Sequence, residues 1–147
     1  INKGAMSLKK QLLEEMKQAM KSGQKVKLEV VRMLRSRIKN IEIDEGELDD
    51  AGVQKVVGKQ IKQWKDALED YKRGGREDLV EETEQKIKYL KEYLPEQISE
   101  EEIKQVIEKV KAESGIDQAG PLIGKVMQKV GSKAEGSKVA QLVRKMV

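Results

Sequence analysis

The chain contains no cysteine, no histidine and no phenylalanine, and only two prolines in 147 residues. Without thiolate or imidazole it has no disulfide, none of the usual zinc or copper ligand sets, and no Ser-His or Cys-His pair for nucleophilic catalysis. Aromatic residues make up 3% of the chain, too few for the interleaved stacking platforms of single-strand binders. No apolar run is long enough to span a bilayer, and Met6 is followed by mixed charged and apolar residues instead of a signal-type core. These absences predict a soluble cytoplasmic protein with no membrane association, no metal and no cofactor. Ile1 to Ala5 are expected to be a cloning remnant ahead of a natural start at Met6.

Charged residues reach 38%, with lysine, glutamate and branched aliphatics dominating. That balance favours helices whose long charged side chains cover exposed faces. Apolar residues recur at helical spacing, which separates the chain from a disordered polyampholyte. The expected fold is all-α: an N-terminal helical domain over residues 6–95 with a long antiparallel helical hairpin, and a small three-helix bundle over residues 96–147.

The helices can be placed from their faces and stops. Ser7 suits the cap of a first helix with Leu8, Leu12, Leu13, Met16, Ala19 and Met20 on one face, ending near Ser22-Gly23. The second carries Leu28, Val31, Leu34, Ile38 and Ile41 up to Asp44-Glu45-Gly46. Beside that face runs a basic stripe, Arg32, Arg35 and Lys39, read as solvated surface. Asp49-Asp50 opens a third helix through Val53, Val57, Ile61, Trp64, Leu68 and Tyr71 to Gly74-Gly75. Val80, Thr83, Ile87, Leu90 and Leu94 answer it. The pair is expected to form a hairpin of helices about 30 Å long or more, with Trp64 and Tyr71 in its seam.

Pro95 ends that unit, biasing Leu94 towards an extended backbone. Ser99 and Glu102 have the spacing of a capping box ahead of Ile103, Val106, Ile107 and Val110, and Ser114-Gly115 stops the helix. Pro121 fits the first turn of the next helix, with Leu122, Val126, Met127 and Val130 inward. A last helix from Gly136-Ser137 buries Val139, Leu142, Val143 and Met146.

Charge is distributed unevenly over this plan. Between Gly120 and Val147, Lys125, Lys129, Lys133, Lys138, Arg144 and Lys145 face one carboxylate, Glu135, whereas the whole chain carries a net charge of +4. Glu47 to Gln97 holds thirteen acidic and ten basic residues, which disfavours the hairpin as a polyanion face. The six cations are therefore the candidate contacts to phosphate. Gly131-Ser132-Lys133-Ala134-Glu135-Gly136-Ser137-Lys138 has the glycine spacing of a phosphate-binding loop, but Ser and Lys are reversed and no strand precedes it. A turn between two short helices is the simpler reading. The carboxylate clusters Glu81, Glu82, Glu84 and Glu100 to Glu102 suit solvated or helix-starting positions, and no residue is assigned a catalytic role.

Three segments together resemble the YqeY-like family: Leu34-Arg35-Ser36-Arg37-Ile38-Lys39; Tyr93-Leu94-Pro95-Glu96-Gln97-Ile98 continuing into Ser99-Glu100-Glu101-Glu102; and Gly124-Lys125-Val126-Met127 with Gly136-Ser137-Lys138-Val139. The resemblance covers essentially Met6 to Val147. It implies a C-terminal domain similar to the tail of the B subunit of tRNA-dependent amidotransferases, a part that helps hold tRNA while activation and ammonia transfer occur elsewhere. The leading expectation is therefore a non-catalytic module that binds tRNA or associates with an amidotransferase. An adaptor docking through the helical hairpin, on an aminoacyl-tRNA synthetase or amidotransferase subunit, is the alternative. Carbon-nitrogen ligase activity with glutamine as amide donor follows from the family label alone. DNA binding is not expected, because no side-chain set suits base edges.

Overall fold

The computed structural model describes residues 6–147; the segment expected to be a cloning remnant lies outside the described residues. Within them the chain forms α1 (Leu8–Ser22), α2 (Lys25–Glu45), α3 (Asp50–Arg73), α4 (Glu77–Lys91), α5 (Glu100–Ser114), α6 (Ala119–Val130), a 3-10 turn (Gly131–Lys133) and α7 (Gly136–Met146), with no strand. The protein is all-α. Among the described residues no helix is long and apolar enough to cross a membrane, and no cluster of acidic side chains could hold a metal ion.

Local chemistry sets the helix ends. Ser7 Oγ accepts from the Lys10 N–H at 3.2 Å, and α1 stops at Gly23, whose φ of 69° is open to glycine at no steric cost. The two aspartates ahead of α3 divide their work. Asp49 Oδ1 caps α3 by accepting from the Gly52 N–H at 2.9 Å, while Asp50 Oδ1 accepts from the Leu8 N–H, a free donor in the first turn of α1, also at 2.9 Å. In α5, Ser99 Oγ accepts from the Glu102 N–H at 3.2 Å, and its hydroxyl donates to Glu102 Oε1.

The chain divides into two compact units, one ending at Leu94 and the other Pro95–Val147. In the first, α1 packs against α2, α3 against α4, and α2 also meets both α3 and α4. Its core gathers Leu12, Val31, Leu34, Val53, Val57 and Leu90 with their aliphatic neighbours. Trp64 packs at the edge of this core, and the Lys86 ammonium lies 5.7 Å from its ring centroid. One face of the indole is thus occupied.

The hairpin differs from expectation in length. By rise per residue α3, with 24 residues, spans about 36 Å, whereas α4, with 15, spans about 22 Å and falls short of 30 Å. The cause is the approach to Pro95. The chain leaves the α-helix at Lys91 and tightens, with N–H groups of Glu92, Tyr93 and Leu94 bonded to the carbonyls of Tyr89, Leu90 and Lys91. This tighter winding delivers Tyr93 into the core, where it is the largest fully buried side chain. Its hydroxyl donates to Oε2 of Glu15, a buried carboxylate on α1. Burial first, and the Glu15 hydrogen bond second, hold the Tyr93 hydroxyl far above the usual tyrosine range.

Two outcomes follow for stability. Tyr93→Phe withdraws a donor from a buried carboxylate and should cost about 1–3 kcal/mol in urea unfolding, whereas Glu15→Leu combined with Tyr93→Phe should cost less than the sum of the two single changes. Because the folded Tyr93 pKa is raised, its contribution is complete below the ordinary tyrosine range and is lost as pH rises beyond it. Stability of the wild-type chain should therefore decline at alkaline pH more steeply than that of Tyr93→Phe.

Candidate nucleic-acid interface

The second unit has its own core. Ile103, Ile107 and Val110 of α5 meet Leu122, Val126 and Val130 of α6 and Val139, Leu142 and Val143 of α7. All three helices pack pairwise. Two anchors fix the ends of α7. Its first residue, Gly136, lies beside Met127 of α6, so that an added Cβ would sit 3.9 Å from the Met127 methyl. At the far end, Lys111 of α5 donates from Nζ to the Met146 carbonyl oxygen at 3.0 Å, placing a cation on the negative end of the helix.

On this frame all six expected cations are exposed. Lys125 and Lys129 stand one turn apart on α6, neighbours on one stripe. Lys138 and Lys145, seven residues apart, share a stripe of α7 with about 10 Å of rise between them. Arg144 does not join them, because one residue is about 100° of helix and turns it to the other flank of the buried face. Lys133 ends the 3-10 turn. Among the described residues none of the six forms an ion pair with a carboxylate, whereas Lys104 of α5 pairs with Glu100 at 3.9 Å and Glu101 at 3.8 Å.

The loop that resembles a phosphate-binding motif is a connection between helices. Gly131 takes φ 54°, the chain passes through a single 3-10 turn, and buried Ala134 leads into Glu135 at the cap of α7. Sequence reasoning missed what holds this turn. Gln97 Nε2 donates to the Ser132 carbonyl at 2.8 Å, and the Ile98 N–H to that of Lys133 at 3.0 Å. The Pro95-to-Ile98 segment thus fastens the backbone from which the Lys133 side chain projects. Spacing within the sequence gives no sign of it, because the partners lie 35 residues apart.

The electrostatics are more polar than the terminal surplus alone suggests. The whole second unit holds nine cations and eight carboxylates; seven of the carboxylates precede Gly120, and six of the cations follow it. α5 carries five carboxylates and three lysines, whereas α6 and α7 carry five cations and no carboxylate. At physiological salt charges separated by more than about 8 Å are largely screened from one another. Carboxylates farther than this from the exposed cations of α6 and α7 therefore do little to offset them, although the unit is almost neutral.

An all-helical chain with an acidic hairpin, a separate three-helix bundle and a Tyr-Leu-Pro segment at their junction defines a class. The family described as "Yqey-like protein" matches residues 9–147, and the chain belongs to that YqeY-like family. Among curated proteins it is 37% identical over 95 residues to Altered inheritance of mitochondria protein 41, mitochondrial, of Vanderwaltozyma polyspora, an overlap of 63% of this chain and 49% of that protein. The protein of the same name from Pyrenophora tritici-repentis is 28% identical over 142 residues, 92% of this chain and 78% of that one. The counterpart from Clavispora lusitaniae is 28% identical over 118 residues, covering 79% and 69%. The chain spans about half the length of the first of these relatives.

These names overturn one expectation. A cytoplasmic location was inferred from absent cysteine and an absent signal-type core, yet the relatives are named as mitochondrial proteins. Neither absence separates the two compartments, since a cysteine-free helical chain is compatible with both.

Exposed side chains outside any bonded network contribute little to folding. Lys125→Gln, Lys129→Gln, Lys138→Gln and Lys145→Gln should each change unfolding free energy by less than about 0.5 kcal/mol in urea titration. A larger loss at any of them would reveal a structural role.

Proposed function

We propose that this protein is a non-catalytic module that grips the backbone of folded RNA, tRNA foremost, through the cationic side of its C-terminal unit. The observation that carries the reading is the concentration of exposed cations on α6 and α7, helices that hold no carboxylate of their own. Double-helical RNA is recognised through shape, phosphates and 2′-hydroxyls, so a basic helical surface without aromatic platforms suits it. Lys125 with Lys129, and Lys138 with Lys145, supply two short rows of ammonium groups, and Lys133 adds a fifth from the turn. Arg144, on the other flank of α7, is assigned a peripheral contact. Family resemblance to the tail of the amidotransferase B subunit supports the same partner and gives an amidotransferase or aminoacyl-tRNA synthetase as the natural neighbour on the RNA.

The reading assigns this chain no step of amide transfer. It also turns away from the α3–α4 hairpin as the docking face, because the apolar seam of those helices, Val53, Val57, Ile61, Ile87 and Leu90, is consumed in the first core.

Binding of folded tRNA should weaken with salt, with a log-log slope of roughly −3 if three or four phosphates are neutralised. Filter binding or fluorescence anisotropy at several salt concentrations measures it. Changing Lys125, Lys129, Lys138 and Lys145 together to glutamine should flatten the slope to about −1, the share left to Lys133. Undetectable binding at low salt, or an unchanged slope in that variant, contradicts the proposal.

A further inference from the structure

The basic stripe of α2 has a setting that its sequence does not announce. Arg32, Arg35 and Lys39 line a groove of about 430 Å³ between α1 and α2, together with Leu12 and Met16 of α1 and Ile38 of α2. Two carboxylates stand at helical spacing from these cations and would ordinarily neutralise them. Both are taken by other helices: Glu29 by Lys86 of α4 at 3.1 Å, and Glu42 by Lys9 of α1 at 2.6 Å. The Lys9 contact is the leading reason that the Glu42 carboxyl sits below the usual glutamate range. Arg35 instead rests Nη1 on the Met16 thioether at 3.1 Å, a weak acceptor that leaves the guanidinium charge uncompensated. Among the described residues Arg32, Arg35 and Lys39 form no ion pair.

Two exposed apolar side chains lie one helical turn beyond the lining residues on the same two helices. Met20 continues the Leu12, Met16 row of α1 and is 53% exposed; Ile43 continues the Arg32, Ser36, Lys39 row of α2 and is 79% exposed. They are two of the three exposed large apolar side chains among the described residues. From Arg32 to Ile43 the rise is about 16 Å, or three helical turns. A phosphate backbone would leave half-buried Met16 and exposed Met20 and Ile43 unused. A helix with apolar side chains along one edge and carboxylates beside them would cover these side chains and meet the cations.

We propose that the α1–α2 groove docks an acidic amphipathic helix of a partner protein, seating its apolar edge on Met16 and Met20 and its carboxylates against Arg32, Arg35 and Lys39. Arg35 is the central contact, moving its fork from a thioether to a carboxylate that it can engage through two hydrogen bonds. The adaptable thioethers of Met16 and Met20 tolerate variation in the partner's apolar edge. This surface lies wholly within the first unit and is independent of the proposed RNA grip on α6 and α7.

The test uses the full chain and a labelled peptide of about four turns, stapled into a helix, with leucines at i, i+4, i+7 and i+11 flanked by glutamates. Fluorescence anisotropy should show saturable binding, and a counterpart with lysine in place of glutamate should not bind. Arg32→Glu with Lys39→Glu, all at exposed positions, should weaken the acidic peptide about tenfold or more, as should Met20→Glu, while circular dichroism stays unchanged. Lys125→Gln with Lys129→Gln should leave peptide binding intact, which separates this result from the RNA reading. Absence of saturable binding, or indifference to the Arg32 and Lys39 changes, overturns the proposal. So does an RNA duplex whose binding falls with those changes while the peptide's does not, since the groove would then be a polyanion site.

Discussion

The hydrogen bond between Tyr93 and Glu15 sets the shape of the N-terminal unit. The two residues stand 78 positions apart, one just after α4 and the other in the middle of α1. Aliphatic side chains, Leu12, Val31, Leu34 and Val57 among them, supply the mass of the core, but they pack without direction. A buried carboxylate is directional. It must be met by donors, so α1 fits at the register where a hydroxyl arrives. Tyr93 reaches that place because the chain tightens beyond Lys91 on its way to Pro95. The proline that closes the unit thereby also positions its largest buried side chain.

The second unit is built on its own apolar core, around which charge is unevenly sorted. Seven of its eight carboxylates precede Gly120 and six of its nine cations follow it, so the unit is almost neutral in sum. The acids of the first turn of α5 lie at the positive end of its dipole, while Lys111 covers the terminal carbonyl of α7. Those charges serve the fold. Lys125, Lys129, Lys133, Lys138 and Lys145 form no ion pair within the described residues, and the proposed RNA contact rests on them. Arg32, Arg35 and Lys39 of the first unit stand in a comparable position, with their natural carboxylates diverted to Lys86 and Lys9. The difference is that half-buried Met16 and exposed Met20 and Ile43 lie close in helical register to the cations of the first unit, which favours a peptide reading there.

Much of the fold was legible because its signals are local. Ser7 and Ser99 cap helices with their own hydroxyls, Gly23 and Gly115 end them in left-handed geometry, and Val126 and Val130 fall one turn apart on a buried face. Membership of the YqeY-like family was legible in the Tyr-Leu-Pro and Gly-Lys-Val-Met segments. What escaped was long-range. Glu15 shares the Leu12 and Ala19 face of α1, but its partner Tyr93, 78 residues away, was not legible. Asp50 looked like part of a helix start and proves to serve α1 from a distance of 42 residues. Arg32 and Lys39 are exposed as expected, but the diversion of Glu29 and Glu42 to helices elsewhere in the chain was not legible. The six terminal cations were visible as charge, but the turning of Arg144 to the opposite flank needed the helix face of α7 to be fixed by Val139 and Val143.

The central claim is that folded RNA meets the α6–α7 side of the C-terminal unit. Titrating unlabelled tRNA into the isotopically labelled full chain and following backbone amide resonances tests it most directly. The account predicts that perturbations gather at Lys125, Lys129, Lys133, Lys138 and Lys145 and leave the acidic turn Glu100 to Glu102 unmoved. Perturbations centred on α5, or none at low salt, would contradict it.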